Sequence, residues 1–82
     1  MDHNLVSIYP NPVKDHFTIE LDNHELMNQV EVINIEGRVV ESIAINALSK
    51  INVKVNDWVP GIYMLKITTN NNEILTHKIL IK

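Results

Sequence analysis

The sequence predicts an all-β domain, a seven-stranded antiparallel β-sandwich, from two observations. First, apolar and polar residues alternate over several short segments, as they do in a strand with one buried face; Phe17, Ile19 and Leu21 show this most clearly. Second, turn-forming residues separate these segments at short intervals, which is typical of a sandwich. The 82 residues make one domain, because a chain of this length does not hold two separate cores.

The first two strands are expected at about 5–9 and 15–21. Pro10-Asn11-Pro12 separates them, because neither proline has an N–H to donate to a neighbouring strand. The alternation around Phe17 identifies the second strand. The stretch 23–28 is the only one with any helical character, and it is too short and too polar to form a helix of consequence.

Two further strands, at about 29–35 and 38–45, flank Glu36-Gly37. This glycine can take the positive φ that a tight hairpin needs. The alternation is imperfect here, because Ile33 and Ile35 fall on the face opposite Val30 and Val32, and because Val39 and Val40 are adjacent. A β-bulge explains the pattern best, and a partly exposed apolar patch that meets a partner is the other interpretation.

The last three strands are expected at about 51–55, 62–69 and 73–81, where apolar residues again occupy every second position. Pro60-Gly61 marks the corner before the sixth strand. Asn70-Asn71-Asn72 provides the turn before the seventh, because Asn tolerates the left-handed backbone region better than most residues.

Catalytic chemistry is not indicated. The chain has no cysteine, none of its serines lies in a Gly-x-Ser-x-Gly elbow, and its four histidines lack metal-ligand spacing. We therefore expect no enzyme, no cofactor and no metal site. Oxygen-bearing side chains of the kind that bind calcium gather in one region, but they lack the Asp-x-Asp-x-Asp-Gly pattern of a calcium loop. A solvated strand and its loop are the favoured interpretation. These residues are Asp15, Glu20, Asp22, Asn23 and Glu25.

Charge and hydropathy exclude two further classes of function. The formal net charge is −3 and the chain has one arginine and no basic run, so nucleic-acid binding is not expected. The apolar stretches are far too short for a transmembrane segment. The N-terminal residues lack the pattern of a signal peptide, which indicates either a cytoplasmic protein or a piece of a longer exported precursor.

Four motifs, in order along the chain, resemble those of the type IX secretion system C-terminal sorting domain, the Por secretion system sorting domain family. Tyr9-Pro10-Asn11-Pro12 resembles the entry of that family, and Ile35-Glu36-Gly37-Arg38-Val39-Val40 resembles its strand, glycine, basic residue and strand pattern. Val59-Pro60-Gly61-Ile62-Tyr63-Met64-Leu65-Lys66-Ile67 resembles its Leu-x-x-Gly-x-Tyr segment, although Val59-Pro60 replaces the more usual polar pair before the glycine. The ending, from His77 to Lys82, is similar to its basic and apolar C-terminus. The resemblance covers about residues 6–82.

The resemblance implies an immunoglobulin-like β-sandwich at residues 6–82, preceded at 1–5 by a leader or a linker remnant. Such domains are the tails of larger cargo proteins and perform no reaction themselves. Outer-membrane translocon components recognise them in the periplasm, and a sortase-like cell-surface peptidase commonly removes them after export. The expected location is therefore the periplasm in transit, then the cell surface or the extracellular space.

A recognition surface is expected around the sixth and seventh strands. The seventh is expected at a sheet edge, where unpaired backbone groups allow a partner to add a strand, although completing the core is an equally good role for it. Edge strands of this kind also permit dimerisation. We expect Gly61 to form a corner and the Tyr63 side chain to point inward. The full predicted set is Gly61, Tyr63, Lys78, Ile79, Leu80, Ile81 and Lys82.

Two alternative functions stay open at this point. One is a structural or adhesive spacer module of a surface protein, similar to a fibronectin type III domain. The other is a carbohydrate-binding module that stacks a sugar on Trp58, the only tryptophan. Because aromatic residues are few, a plug over one end of the core is the favoured role for Trp58.

Overall fold

The computed structural model describes residues 6–22, 25–55 and 57–82. These residues form seven strands and no helix, so none of them supplies a helix long and apolar enough to cross a bilayer. The strands are β1 (Val6–Tyr9), β2 (His16–Leu21), β3 (Met27–Ile33), β4 (Val39–Leu48), β5 (Lys50–Lys54), β6 (Gly61–Thr69) and β7 (Ile74–Ile81).

The strands form two antiparallel sheets, one of three strands in the order β1-β2-β5 and one of four in the order β4-β3-β6-β7. This confirms the predicted all-β class and the sandwich of seven strands. That the sandwich is immunoglobulin-like remains a prediction. Strands β1 and β5 are the edges of the first sheet, and β4 and β7 are the edges of the second.

The bounds of two strands in the second sheet differ from the approximate predicted ones: β3 covers Met27–Ile33 where 29–35 is expected, and β4 covers Val39–Leu48 where 38–45 is expected. Strand β3 begins at Met27, which is fully buried and pairs with Leu48 at the far end of a long β4. The register shifts between Met27 and Gln29, so Asn28 interrupts the alternation that sequence patterning relies on. A second shift leaves Val40 without a partner in β3, which confirms the predicted bulge.

The core lies between the two sheets and draws on both. Phe17 and Ile19 project from the first sheet, and Val32 and Leu65 from the second; all four are fully buried. Burying an aliphatic or aromatic side chain of this size contributes roughly 1.5–3 kcal/mol, and a chain without disulfides depends on such contacts.

The sandwich has two distinct ends. At one end, here called the entry end, Val6 pairs with Leu21, whose N–H donates to the carbonyl of Ser49. Strand β6 starts at the other end, here called the recognition end, where Gly61 pairs with Ile81. The chain therefore enters the fold at one end and finishes its last strand at the other.

Candidate functional site

The last strand is an edge strand, as predicted, but its edge is not open along its whole length. The Val13 N–H donates to the Leu80 carbonyl and the Lys82 N–H donates to the Val13 carbonyl, each with an N···O distance of 2.8 Å. The Asn11 side-chain oxygen also accepts from the Leu80 N–H at 3.4 Å. The segment between β1 and β2 thus covers the end of β7, so the predicted edge is not free at Leu80 and Lys82.

The uncovered part of the β7 edge lies further from its end. In an antiparallel pair, backbone groups of successive residues point alternately toward the partner strand and away from it. Because the groups of Leu80 and Lys82 point away from β6 toward Val13, those of Thr76 and Lys78 point the same way. A partner that adds a strand to β7 would therefore pair with this stretch.

The side chains of the predicted β7 set divide between two faces of the sheet. Ile79 and Ile81 face the core and are only 1% and 2% exposed. Lys78, Leu80 and Lys82 are exposed. Two of the five residues therefore support the fold, and the other three are available to a partner.

Tyr63 lies near the start of β6 and is buried, and its hydroxyl donates to the Val59 carbonyl at 2.5 Å. This inward orientation agrees with the prediction. Gly61, two residues earlier, has a φ of 150°, a backbone conformation that L side chains rarely adopt. Both residues shape the corner between β5 and β6.

Trp58 closes this end of the core. Its ring meets Phe17 edge-on at a centroid distance of 6.1 Å and Tyr63 at a tilt of 41° and 5.4 Å. The half-buried ring is thus packed against two other aromatics. This packing supports a role for Trp58 as a plug at the end of the core and does not favour a sugar-stacking role.

An apolar row crosses the outer face of the four-stranded sheet near the recognition end. Val39, Ile33, Met64 and Lys78 are successive cross-strand neighbours, and all but Ile33 are exposed. Ile62 and Leu80 pair in the next row and are 47% and 39% exposed. Solvated outer faces are normally polar, so these exposed apolar side chains are unusual for such a face. Sequence reasoning missed the contribution of Met64, although alternation with Tyr63 places it on the outer face.

Two of the oxygen-bearing side chains in the candidate calcium region, Glu20 and Asp15, have other partners. The Tyr9 hydroxyl donates to Glu20 Oε1 at 2.8 Å, and this bond to a carboxylate raises the pKa of Tyr9 above 10.0. Asp15 Oδ1 lies 3.0 Å from His16 Nδ1. Within residues 6–22, 25–55 and 57–82, no group of three or more acidic, His or Cys side chains is arranged to hold a metal ion, and Asn23 lies outside them.

Comparison with known proteins gives one family. The model of the secretion system C-terminal sorting domain matches residues 7–82, which include nearly all of β1 and every later strand. The chain belongs to this family, the type IX sorting domains. Membership implies a non-catalytic sorting signal carried by a larger cargo protein, with export to the cell surface or the extracellular space.

A curated relative agrees with this assignment. The chain is 32% identical over 76 residues to a protein of Nonlabens ulvanivorans named ulvan lyase NLR42. The match covers 93% of this chain and only 14% of that protein's length. The family match favours a sorting domain over the fibronectin-like spacer and the carbohydrate-binding module.

Proposed function

We propose that residues 6–82 act as a folded signal that takes a larger cargo protein across the outer membrane through the type IX secretion system. Outer-membrane translocon components recognise the folded domain in the periplasm, and a sortase-like cell-surface peptidase then removes it from the cargo. Residues 1–5 are the leader or linker remnant that precedes the signal. Dimerisation through edge strands remains a prediction.

The main support for recognition of the folded domain is the contact between the two ends of the matched sequence. Asn11, in the Tyr-Pro-Asn-Pro motif, and Val13, just after it, bond to Leu80 and Lys82 in the C-terminal motif. Motifs that are far apart in sequence therefore form one surface only when the domain is folded. This supports a receptor that reads shape and side chains together.

The residues of the predicted set take two roles in this proposal. Lys78, Leu80 and Lys82 present exposed side chains to the machinery. The other four hold that surface in place, through the core or the corner before β6; they are Gly61, Tyr63, Ile79 and Ile81. The cargo precedes Val6 at the entry end, so it leaves the recognition end accessible.

The test is export of a reporter that carries a signal peptide and ends in this chain, in a bacterium with a type IX system. Deleting residues 78–82 is a poor variant, because it removes two core isoleucines and we expect the domain to unfold without them. The double variant Lys78→Ala, Leu80→Ser changes exposed side chains only, and Thr76→Ala on the same outer face is its matched control.

The outcomes separate the two parts of the proposal. We expect surface or extracellular reporter with the unchanged chain and with Thr76→Ala, and periplasmic retention with the double variant. Reporter that stays in the periplasm with the unchanged chain contradicts the sorting role. Normal export of a folded double variant contradicts the assigned surface and leaves the sorting role standing.

A further inference from the structure

A groove opens at the recognition end, at the seam between the two sheets. Its volume is about 740 Å³, within the range of sites that hold small ligands or short peptide segments. The β3–β4 turn and the start of β4 form one wall, and the loop 57–60 with the start of β6 forms the other. Lys54, at the end of β5, also lines it.

Two strongly exposed apolar side chains line the groove. Each lies in a turn that is stabilised by hydrogen bonding. Ile35 is 82% exposed and Val59 is 73% exposed. The Asn34 side-chain oxygen accepts from the N–H groups of Glu36 and Arg38, both at 3.0 Å, which fixes the turn that carries Ile35. The bond from the Tyr63 hydroxyl to the Val59 carbonyl fixes the other turn. A preformed site loses little conformational entropy on binding.

The charge on the groove walls is mainly negative. Glu36, Glu41 and Asp57 line it, against one cation, Lys54. Among the described residues, none of these three carboxylates has an ion-pair partner within 4.0 Å. A ligand that supplies positive charge therefore meets unpaired carboxylates beside exposed apolar side chains.

We propose that this groove binds an extended segment of a partner protein in which apolar side chains alternate with Lys or Arg. The apolar side chains contact Ile35 and Val59, and the cations face the carboxylates on the walls. The free edge of β4 borders the groove at Val40 and Glu41, where a strand-like segment can lie alongside it. Nucleic acid and anionic lipid are disfavoured, because their phosphates would face the same carboxylates.

This binding site does not depend on the secretion proposal, since it follows from the walls of the groove alone.

A peptide titration tests the proposal. The probe is the acetylated and amidated peptide Lys-Leu-Lys-Leu-Lys, and the control peptide is Glu-Leu-Glu-Leu-Glu. Amide chemical shifts of the isotope-labelled full chain are followed by NMR during titration at low ionic strength. We expect saturable shifts around Ile35 and Val59 with the lysine peptide, weaker binding as salt is added, and no shifts with the control.

Charge variants test whether the carboxylates on the groove walls contribute to peptide binding. The double variant Glu41→Gln, Asp57→Asn should weaken binding about three- to tenfold, as expected for two partly exposed charge contacts. Glu73→Gln, at the entry end, is the matched control and should leave binding unchanged. All three side chains are exposed, so these variants keep the fold.

Four results would overturn the proposal. They are no shifts at millimolar peptide, equal binding of both peptides, shifts centred on Met64 and Leu80 of the outer face, and shifts that depend on protein concentration alone because the domain self-associates. None of them bears on export of the reporter, so this inference and the proposed function fail independently.

Discussion

Val13 donates its backbone N–H to the Leu80 carbonyl at an N···O distance of 2.8 Å, and its side chain is fully buried. It forms a parallel bridge with Ile81, outside the antiparallel ladders of the two sheets. One residue of the β1–β2 connection therefore joins the first sheet to the edge of the second. We therefore expect the stability of the β7 end to depend on this residue.

Val13→Ala should accordingly destabilise the whole domain. Removing two buried methyl groups creates a cavity at the junction of the sheets, and the expected loss in free energy of unfolding is roughly 1–3 kcal/mol. Urea denaturation followed by Trp58 fluorescence measures it. Val59→Ala is the control, because this valine is exposed and its loss should change stability by less than about 0.5 kcal/mol. Equal stabilities of the two variants would show that the buried Val13 side chain contributes little to the stability of the domain.

Strands with one buried face were predictable, and the links between distant segments were not. Alternation around Phe17 and around Tyr63 located β2 and β6 because buried and solvated faces differ in composition. The early start of β3 was missed, because the irregularity at Asn28 breaks the period of two. The pairing of Val13 with β7 could not be predicted, because a single apolar residue in a loop does not indicate which strand it contacts.

The predicted recognition surface was not resolved into the two faces of β7. Alternation along β7 already implies that Ile79 and Ile81 share a face opposite to Lys78 and Leu80. The groove was beyond sequence reasoning, because its walls come from turns and strand ends that meet only in the folded domain.

Tyr63→Phe tests the bond that holds the loop at 57–60. The variant keeps the ring against Trp58 but leaves the Val59 carbonyl without its donor, so the free energy of unfolding should fall by about 0.5–1.5 kcal/mol. Urea denaturation gives the loss, and amide hydrogen exchange in residues 57–60 should become faster. Tyr9→Phe, which removes an exposed hydroxyl bond, is the matched control and should leave exchange in that loop unchanged. Unchanged exchange in Tyr63→Phe would mean that other contacts fix the loop.

Gly61→Ala tests the backbone at the corner before β6. The added methyl group meets no atom within 4 Å, so any cost comes from the φ of 150° and not from a clash. We expect a loss of about 1–3 kcal/mol in the free energy of unfolding. Gly37→Asn is the comparison: at a φ of 84° Asn is tolerated, and the loss should stay below about 1 kcal/mol. Thermal or urea denaturation of both variants is sufficient, and a neutral Gly61→Ala would show that the corner relaxes.

The Tyr9–Glu20 hydrogen bond predicts a pH dependence that ultraviolet titration can follow. The bond favours the neutral phenol in the folded state, so the pKa of Tyr9 lies above its ordinary value of 10.0. Its contribution to stability is therefore fully present below pH 10.0 and is lost as the pH rises through the higher folded-state pKa. Tyr63→Phe leaves Tyr9 as the single tyrosine, so absorbance at high pH reports this residue alone. Adding Glu20→Gln to that background should lower the measured pKa, because an amide oxygen accepts without a negative charge. An unchanged midpoint would mean that Glu20 does not control the ionisation of Tyr9.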